Sequence, residues 1–310
     1  VNPNPTVPIS TAENSGLAIN DGILCEGEAV TLTATGGGTY SWSSGATSPA
    51  ITVSPTASTN YSVTVTSTKG CQTTVSKLIT VHSKPQPTAS NTGPVCVGDK
   101  ITLSATGGIS YEWKNPSNTV ISNSSAFSIE NSDITNSGIY SVKVTDENGC
   151  SQIASTEVVV KTLPIAQASS NSPKCEGQTL TLNAENAGSG AIYAWSGPNG
   201  FSRTNDQNPI IANAQPIHSG KYLLTVTQNG CSSTNDVDVV IYENPVAEAL
   251  SNSPVCEGSP LNFTANDAGT GAQYKWRNAL GNMVSTNASF TIPNASLTDN
   301  SKYFLTVTKN

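Results

Sequence analysis

The chain has 310 residues, of which 36% are hydrophobic and 11% charged, against a usual charged share of about 25%. Ser, Thr and Asn make up more than a third of it, and 21 acidic against 14 basic residues leave a formal charge of -7. Two Arg, Arg203 and Arg277, give no basic stripe for nucleic acid phosphates, and two His, His82 and His218, cannot build the usual imidazole-based catalytic or metal sites. The longest apolar stretches, such as Val158 to Val160 and Val239 to Tyr242, fall far short of the ~20 residues that cross a bilayer.

Read in chain order, Val1 to Pro5 has the look of the tail of a preceding unit, followed by a Pro-containing joint. An opening motif then appears as ILCEGEAVTLTA from Ile23 and returns as PVCVGDKITLSA from Pro94, PKCEGQTLTLNA from Pro173 and PVCEGSPLNFTA from Pro254. After each opening Cys the apolar residues alternate (Val30, Leu32, Ala34 in the first copy), which is the period of a half-buried strand. A Tyr-x-Trp signature follows, ending on Trp42, Trp113, Trp195 and Trp276, and these Trp are the expected core centres.

A closing strand comes next, beginning at Tyr61, Tyr140, Tyr222 and Tyr303. It runs into a Gly-Cys pair at Cys71, Cys150 and Cys231, and YFLTVTKN from Tyr303 stops where that pair is expected. Asn148-Gly149 suits a tight hairpin that needs positive φ. The opening Cys are 71, 79 and 81 residues apart, so the chain divides into repeats of ~80 residues rather than one core. Joints at Lys84-Pro85, Leu163-Pro164 and Asn244-Pro245 set the expected domains at 1–83, with the tail at 1–5, then 84–162, 163–243 and 244–310. The last is truncated before its final strand. No run of ten residues has helical periodicity with caps, so the expected class is all-β, a tandem array of β-sandwiches.

A Trp on the third strand, and Asn136-Ser137-Gly138-Ile139-Tyr140 as the turn before a tyrosine corner, resemble an immunoglobulin-like domain. Ala105 and Val142 stand where antibody domains carry their inter-sheet Cys. The Cys-x-Gly opening with the Asn-Gly-Cys or Lys-Gly-Cys closing is similar to the tandem immunoglobulin-like and PKD-like repeats of very large surface proteins of gliding and related Bacteroidota. That resemblance implies export by a type IX system and a stalk or adhesin role.

Seven Cys in alternating contexts lead to the expectation of disulfides inside each repeat: Cys25 with Cys71, Cys96 with Cys150 and Cys175 with Cys231, closing loops of 46, 54 and 56 residues. Each would contribute about 4 kcal/mol by loop entropy. Cys256 is then left over because its repeat is cut before the partner, and oxidised Cys place the protein outside the cytosol. Zinc is disfavoured because its ligands sit two to four residues apart with His support.

Asp146-Glu147, Asp236 with Asp238, and Asp299 are the candidates for calcium, against a solvated strand face for each. Loop residues outside the repeat pattern, Phe201 and Arg203 in SGPNGFSRTNDQNP and Arg277 with Met283 in WRNALGNMVS, are candidate contacts for sugar or protein. No cofactor is called for, and no nucleophile-base pair can be assembled. The expected function is a non-enzymatic spacer at a bacterial surface, its partners being the neighbouring repeats of a longer chain. Two other readings are a glycan- or protein-binding module that gains affinity by repetition, and a filament subunit completed by β-strand addition.

Overall fold

The computed structural model describes residues 1–309. They divide into two compact units, Val1–Leu163 and Pro164–Asn310, and each unit holds two separate hydrophobic cores. All regular structure is β apart from single 3-10 turns such as Ile134–Asn136 and Pro216–His218.

Repeat 2 shows the plan. One sheet pairs Ala126–Ile129, Ile101–Thr106 and Thr88–Asn91; the facing sheet pairs Val120–Ser122, Ser110–Lys114, Gly138–Thr145 and Ser151–Val158. Ile101, Leu103 and Ala105 alternate inward from the first sheet, and Trp113, Tyr140, Val142 and Val144 from the second, all buried. The period-two pattern therefore places each side chain on the expected face. Ala105 and Val142 are closed in by packing alone.

Each Trp occupies the same place in its core. Trp42, Trp113, Trp195 and Trp276 are between 0% and 3% exposed, and they lie opposite Val63, Val142, Leu224 and Leu305 on the tyrosine strands. A buried indole N–H needs an acceptor. It finds one every time in a carbonyl of the loop that crosses to the other sheet: Ser48 (2.9 Å), Ser124 (3.2 Å), Gln207 (3.3 Å) and Asn287 (3.2 Å). The core centre thus also ties down the crossover between the sheets.

Tyr140 and Tyr222 donate their hydroxyls to the carbonyls of Asn136 (3.1 Å) and His218 (2.9 Å), four residues upstream. This is the tyrosine corner, and with the two facing antiparallel sheets it makes the sandwiches immunoglobulin-like. Burial holds both phenols above their ordinary pKa.

The last strand of each of the first three repeats ends in a second pairing. Ile23–Cys25 runs parallel to the end of Gln72–His82, Val95–Cys96 parallel to Val160–Lys161, and Lys174–Cys175 parallel to Ile241–Tyr242. In repeat 4 the sheet containing Tyr303–Thr308 has three strands, with Gln273–Asn278 and Met283–Ser285, among the described residues.

Replacing Trp113 by Ala removes the largest buried side chain of its core together with its hydrogen bond. We expect a loss of about 3–5 kcal/mol in urea unfolding of repeat 2, while the Trp195 fluorescence transition of the other unit stays in place. A loss under about 1 kcal/mol would show that the core is not centred on this residue.

Candidate functional site

The cysteines are the chemistry of this chain, and strand geometry decides their pairing. The opening Cys of each of the first three repeats stands, in the parallel pairing, opposite a residue near the end of its own closing strand: Cys25 opposite His82, Cys96 opposite Lys161, Cys175 opposite Tyr242. The closing Cys of the same repeat lies eleven residues earlier, at 71, 150 and 231. At ~3.3 Å per residue, that puts the two cysteines of a repeat roughly 35 Å apart, at opposite ends of the sandwich. A disulfide needs Cα atoms within about 7 Å.

The expected bonds within repeats are accordingly absent. Cys25 of repeat 1 is bonded to Cys150 of repeat 2, with Cα atoms 5.5 Å apart and 125 residues between them in sequence. Cys71 and Cys175, expected to be bridged, carry free thiols, as does Cys256. Cys96 and Cys231 are both disulfide-bonded. The crosslink therefore staples one sandwich to the next instead of closing each on itself. A loop of this length is worth about 5 kcal/mol in the chain-entropy account.

Loop 13–22 of repeat 1 and the closing hairpin of repeat 2 bury this bond. The Glu13 carboxylate accepts from the backbone N–H of Ser15 (2.9 Å) and Asp21 (2.8 Å), and the Ser15 hydroxyl accepts from Cys25 N–H at 2.7 Å. On the other side Asp146 Oδ1 accepts from Asn148 N–H (3.0 Å) and Cys150 N–H (2.9 Å), shaping the hairpin. Gly149 turns through φ +79 against Gly16 and Leu17, where an added Cβ would lie 2.6 Å from the Gly16 carbonyl carbon. Cys25 and Cys150 are 3% and 1% exposed as a result. Cys-x-Gly proves to be a turn motif: the N–H two residues after the Cys-x pair donates back to the Cys carbonyl in all four repeats, from Glu28, Asp99, Gln178 and Ser259.

A serine three residues before each tyrosine adds a second recurring contact. Ser58, Ser137 and Ser219 accept through Oγ from the N–H of Val81 (3.0 Å), Val160 (3.0 Å) and Ile241 (2.8 Å), pinning the last strand where it leaves the antiparallel ladder. The signal Ser-x-x-Tyr was present in the sequence, but Asn300 at this position in repeat 4 breaks it.

The other candidates resolve individually. Phe201 packs edge-on against Tyr222, ring centroids 5.2 Å apart, and belongs to the margin of the repeat 3 core. The Arg203 guanidinium lies 5.2 Å from the Phe201 ring. Arg277 donates to the Gly281 carbonyl at 2.7 Å and stays in its own hairpin. Tyr61 and Tyr303 are half-buried at core edges. Asp236 and Asp238 share the outer face as expected, but Lys221 on the adjacent strand bonds Asp236 and approaches Asp238 to 3.9 Å. A cation from the chain thus occupies that face, and the Asp236 hydrogen bond raises the lysine's pKa. Among the described residues no cluster of three or more His, Cys, Asp or Glu could hold a metal.

Residues 84–164 match the family described as "Ig-like domain CHU_C associated", which coincides with repeat 2. No curated protein matches the chain. Among solved structures, the eight N-terminal Ig domains of Down Syndrome Cell Adhesion Molecule align at 15% identity and TM-score 0.48, over 98% of this chain and 47% of that one. The I67-I69 fragment of titin aligns at 14% identity and TM-score 0.41 over 78% and 99%. Three N-terminal domains of the bacteriophage RB49 outer capsid protein Hoc align at 17% and 0.35 over 77% and 99%. The chain's own sheets and tyrosine corners make it all-β with immunoglobulin-like repeats, and it spans about 47% of the length of the first of these structures.

Gly149→Ala tests the buried junction. The new Cβ must displace backbone of repeat 1, so dithiothreitol should reduce the Cys25 to Cys150 bond faster than in the parent. Gly70→Ala, at φ +84 with nothing within 4 Å of its Cβ, should leave that rate unchanged. Equal rates for the two variants would contradict the packing described.

Proposed function

We propose that the chain is a stretch of an extracellular, non-enzymatic spacer built of immunoglobulin-like domains 1–83, 84–162, 163–243 and 244–310, the first of them covalently stapled to the second. It would belong to a large bacterial surface protein of the adhesin type. The Cys25 to Cys150 bond carries this reading, because a crosslink between successive sandwiches has no use in catalysis and directly restrains the joint between them. Bending at Lys84-Pro85 must then work against both the proline and a closed covalent ring. Such a bond needs an oxidising compartment.

The match of 84–164 to a CHU_C-associated Ig-like family supports the immunoglobulin-like array, and the bacterial surface and type IX export in Bacteroidota follow from the resemblance of the Cys-x-Gly and Gly-Cys motifs. Low charge and abundant Ser and Thr keep the faces hydrated without strong nonspecific attraction. The partners in this reading are the neighbouring repeats. A glycan or protein ligand is the second reading, resting on exposed Arg203 and Arg277, and both guanidiniums are engaged by carbonyls of their own loops.

Fluorescent labels placed on the exposed residues Ser54 in repeat 1 and Ser117 in repeat 2 would read out the joint. The spacer predicts a narrow distance distribution in the oxidised chain that broadens on reduction, with no saturable binding to a glycan array. An unchanged distribution on reduction, or saturable binding abolished by Arg203→Ala or Arg277→Ala, would overturn it.

A further inference from the structure

The Cys25 to Cys150 bond closes a ring of chain, with 125 residues of sequence between its two ends. Inside the ring lie the strands of repeat 1 from Val30–Ala34 to Gln72–His82 and those of repeat 2 from Thr88–Asn91 to Gly138–Thr145. The joint Lys84-Pro85 is inside as well, and so are Trp42 and Trp113, the centres of both cores. Outside it are Ile9–Ala12 and Ile23–Cys25 before the bond, and Ser151–Val158 and Val160–Lys161 after it.

The outside strands run directly into the two sulfurs. Ile23–Cys25 ends on Cys25, and Ser151–Val158 begins on the residue after Cys150. A strand already rises about 3.3 Å per residue, against a limit of about 3.6 Å for any extended chain, so a pull along these strands finds almost no slack. The slack between Ile9–Ala12 and Ile23–Cys25 is loop 13–22, and that loop is tied down. Its Glu13 carboxylate holds the N–H groups of Ser15 and Asp21, Glu13 N–H donates to Asn20 Oδ1 at 3.0 Å, and the Thr11 hydroxyl donates to the Asn20 carbonyl at 2.6 Å. The bond itself is out of reach of solvent thiols, its two cysteines being 3% and 1% exposed, and it opens only when a thiolate attacks one of its sulfurs.

We propose that the bond gives these two repeats a load-bearing function: tension along the chain crosses from Cys25 to Cys150 through sulfur and bypasses both tryptophan cores. This rests on the stapled-spacer reading and states what the staple does in it. Tension between two points follows the shortest covalent route. In a plain string of domains that route runs through every residue, and the domains yield one after another. Here it leaves the linker Lys84-Pro85 and both cores on a slack side branch. A pull can reach them only through the hydrogen bonds that join the outside strands to their neighbours, Ile9–Ala12 to Val30–Ala34 and Ser151–Val158 to Gly138–Thr145. Once those part, nothing transmits force to the ring.

Optical tweezers on the full chain test this. Azide-bearing residues in place of Asn4 and Thr162, both exposed, carry the DNA handles, and a donor and acceptor dye at Ser54 and Ser117 report from inside the ring. At 3.3–3.6 Å per residue the oxidised chain can be drawn out to roughly 120 Å between the handles, and the reduced chain to roughly 540 Å. The expected result is that the oxidised chain stops at the shorter limit and keeps its energy transfer at forces where the chain in dithiothreitol reaches the longer limit and loses it. The same preparation is mapped by mass spectrometry without reduction. If the map contains the Cys25 to Cys150 bond but the oxidised chain loses energy transfer at the same force as the reduced one, tension reaches the cores and this inference fails alone. If the bond is missing from the map, the stapled reading fails with it.

Discussion

An extended strand of eleven residues separates the two cysteine positions of every complete repeat, and the covalent architecture follows from that length. Thiols at opposite ends of a sandwich cannot meet without unfolding it. The nearest partner for the upper end of one sandwich is then the lower end of the next, as Cys25 and Cys150 show. Stability and assembly become linked: repeat 1 can pack its own core alone, but it is crosslinked only through repeat 2. In arrays of this kind nearest-neighbour terms add to the intrinsic stability of each repeat, and here one of those terms is a covalent bond.

The cores themselves are held by packing and by a few recurring hydrogen bonds. The buried Trp fills the centre and also ties the loop between sheets through its indole N–H. The tyrosine corner fixes the start of the next strand, and the serine before it fixes the end of the last strand. Because Ala105 and Val142 replace the inter-sheet cysteines of antibody domains, sulfur is left for the ends of the sandwich, where it can act between modules.

Much of this was legible in the residues. Alternation at Ile101, Leu103 and Ala105, the Tyr-x-Trp spacing and the Asn-Gly hairpin each report a local preference with a fixed period, and each lies where that period places it. The disulfide pairing was not legible by the same route. Counting loop lengths between Cys25 and Cys71 treats the chain as a flexible tether, whereas Gln72–His82 is a stiff strand whose far end lies beside Cys25. Spacing in sequence does not state which end of a sandwich a residue occupies; the parallel pairing of the short opening strand does, and that is a tertiary fact. Phe201 escaped in another way. A loop aromatic outside the repeat pattern reads as a contact residue, but the turn at Pro198–Gly200 folds it back onto Tyr222.

One cut tests the central claim most directly. A specific protease site placed at the joint Lys84-Pro85, followed by cleavage of the oxidised chain and electrophoresis with thiols blocked, asks whether repeat 1 remains attached to the rest. Stapling across the joint predicts a single species of undiminished mass that separates into two pieces only after reduction. Two pieces without reduction would mean that the crosslinks lie inside the repeats, and the account would be wrong.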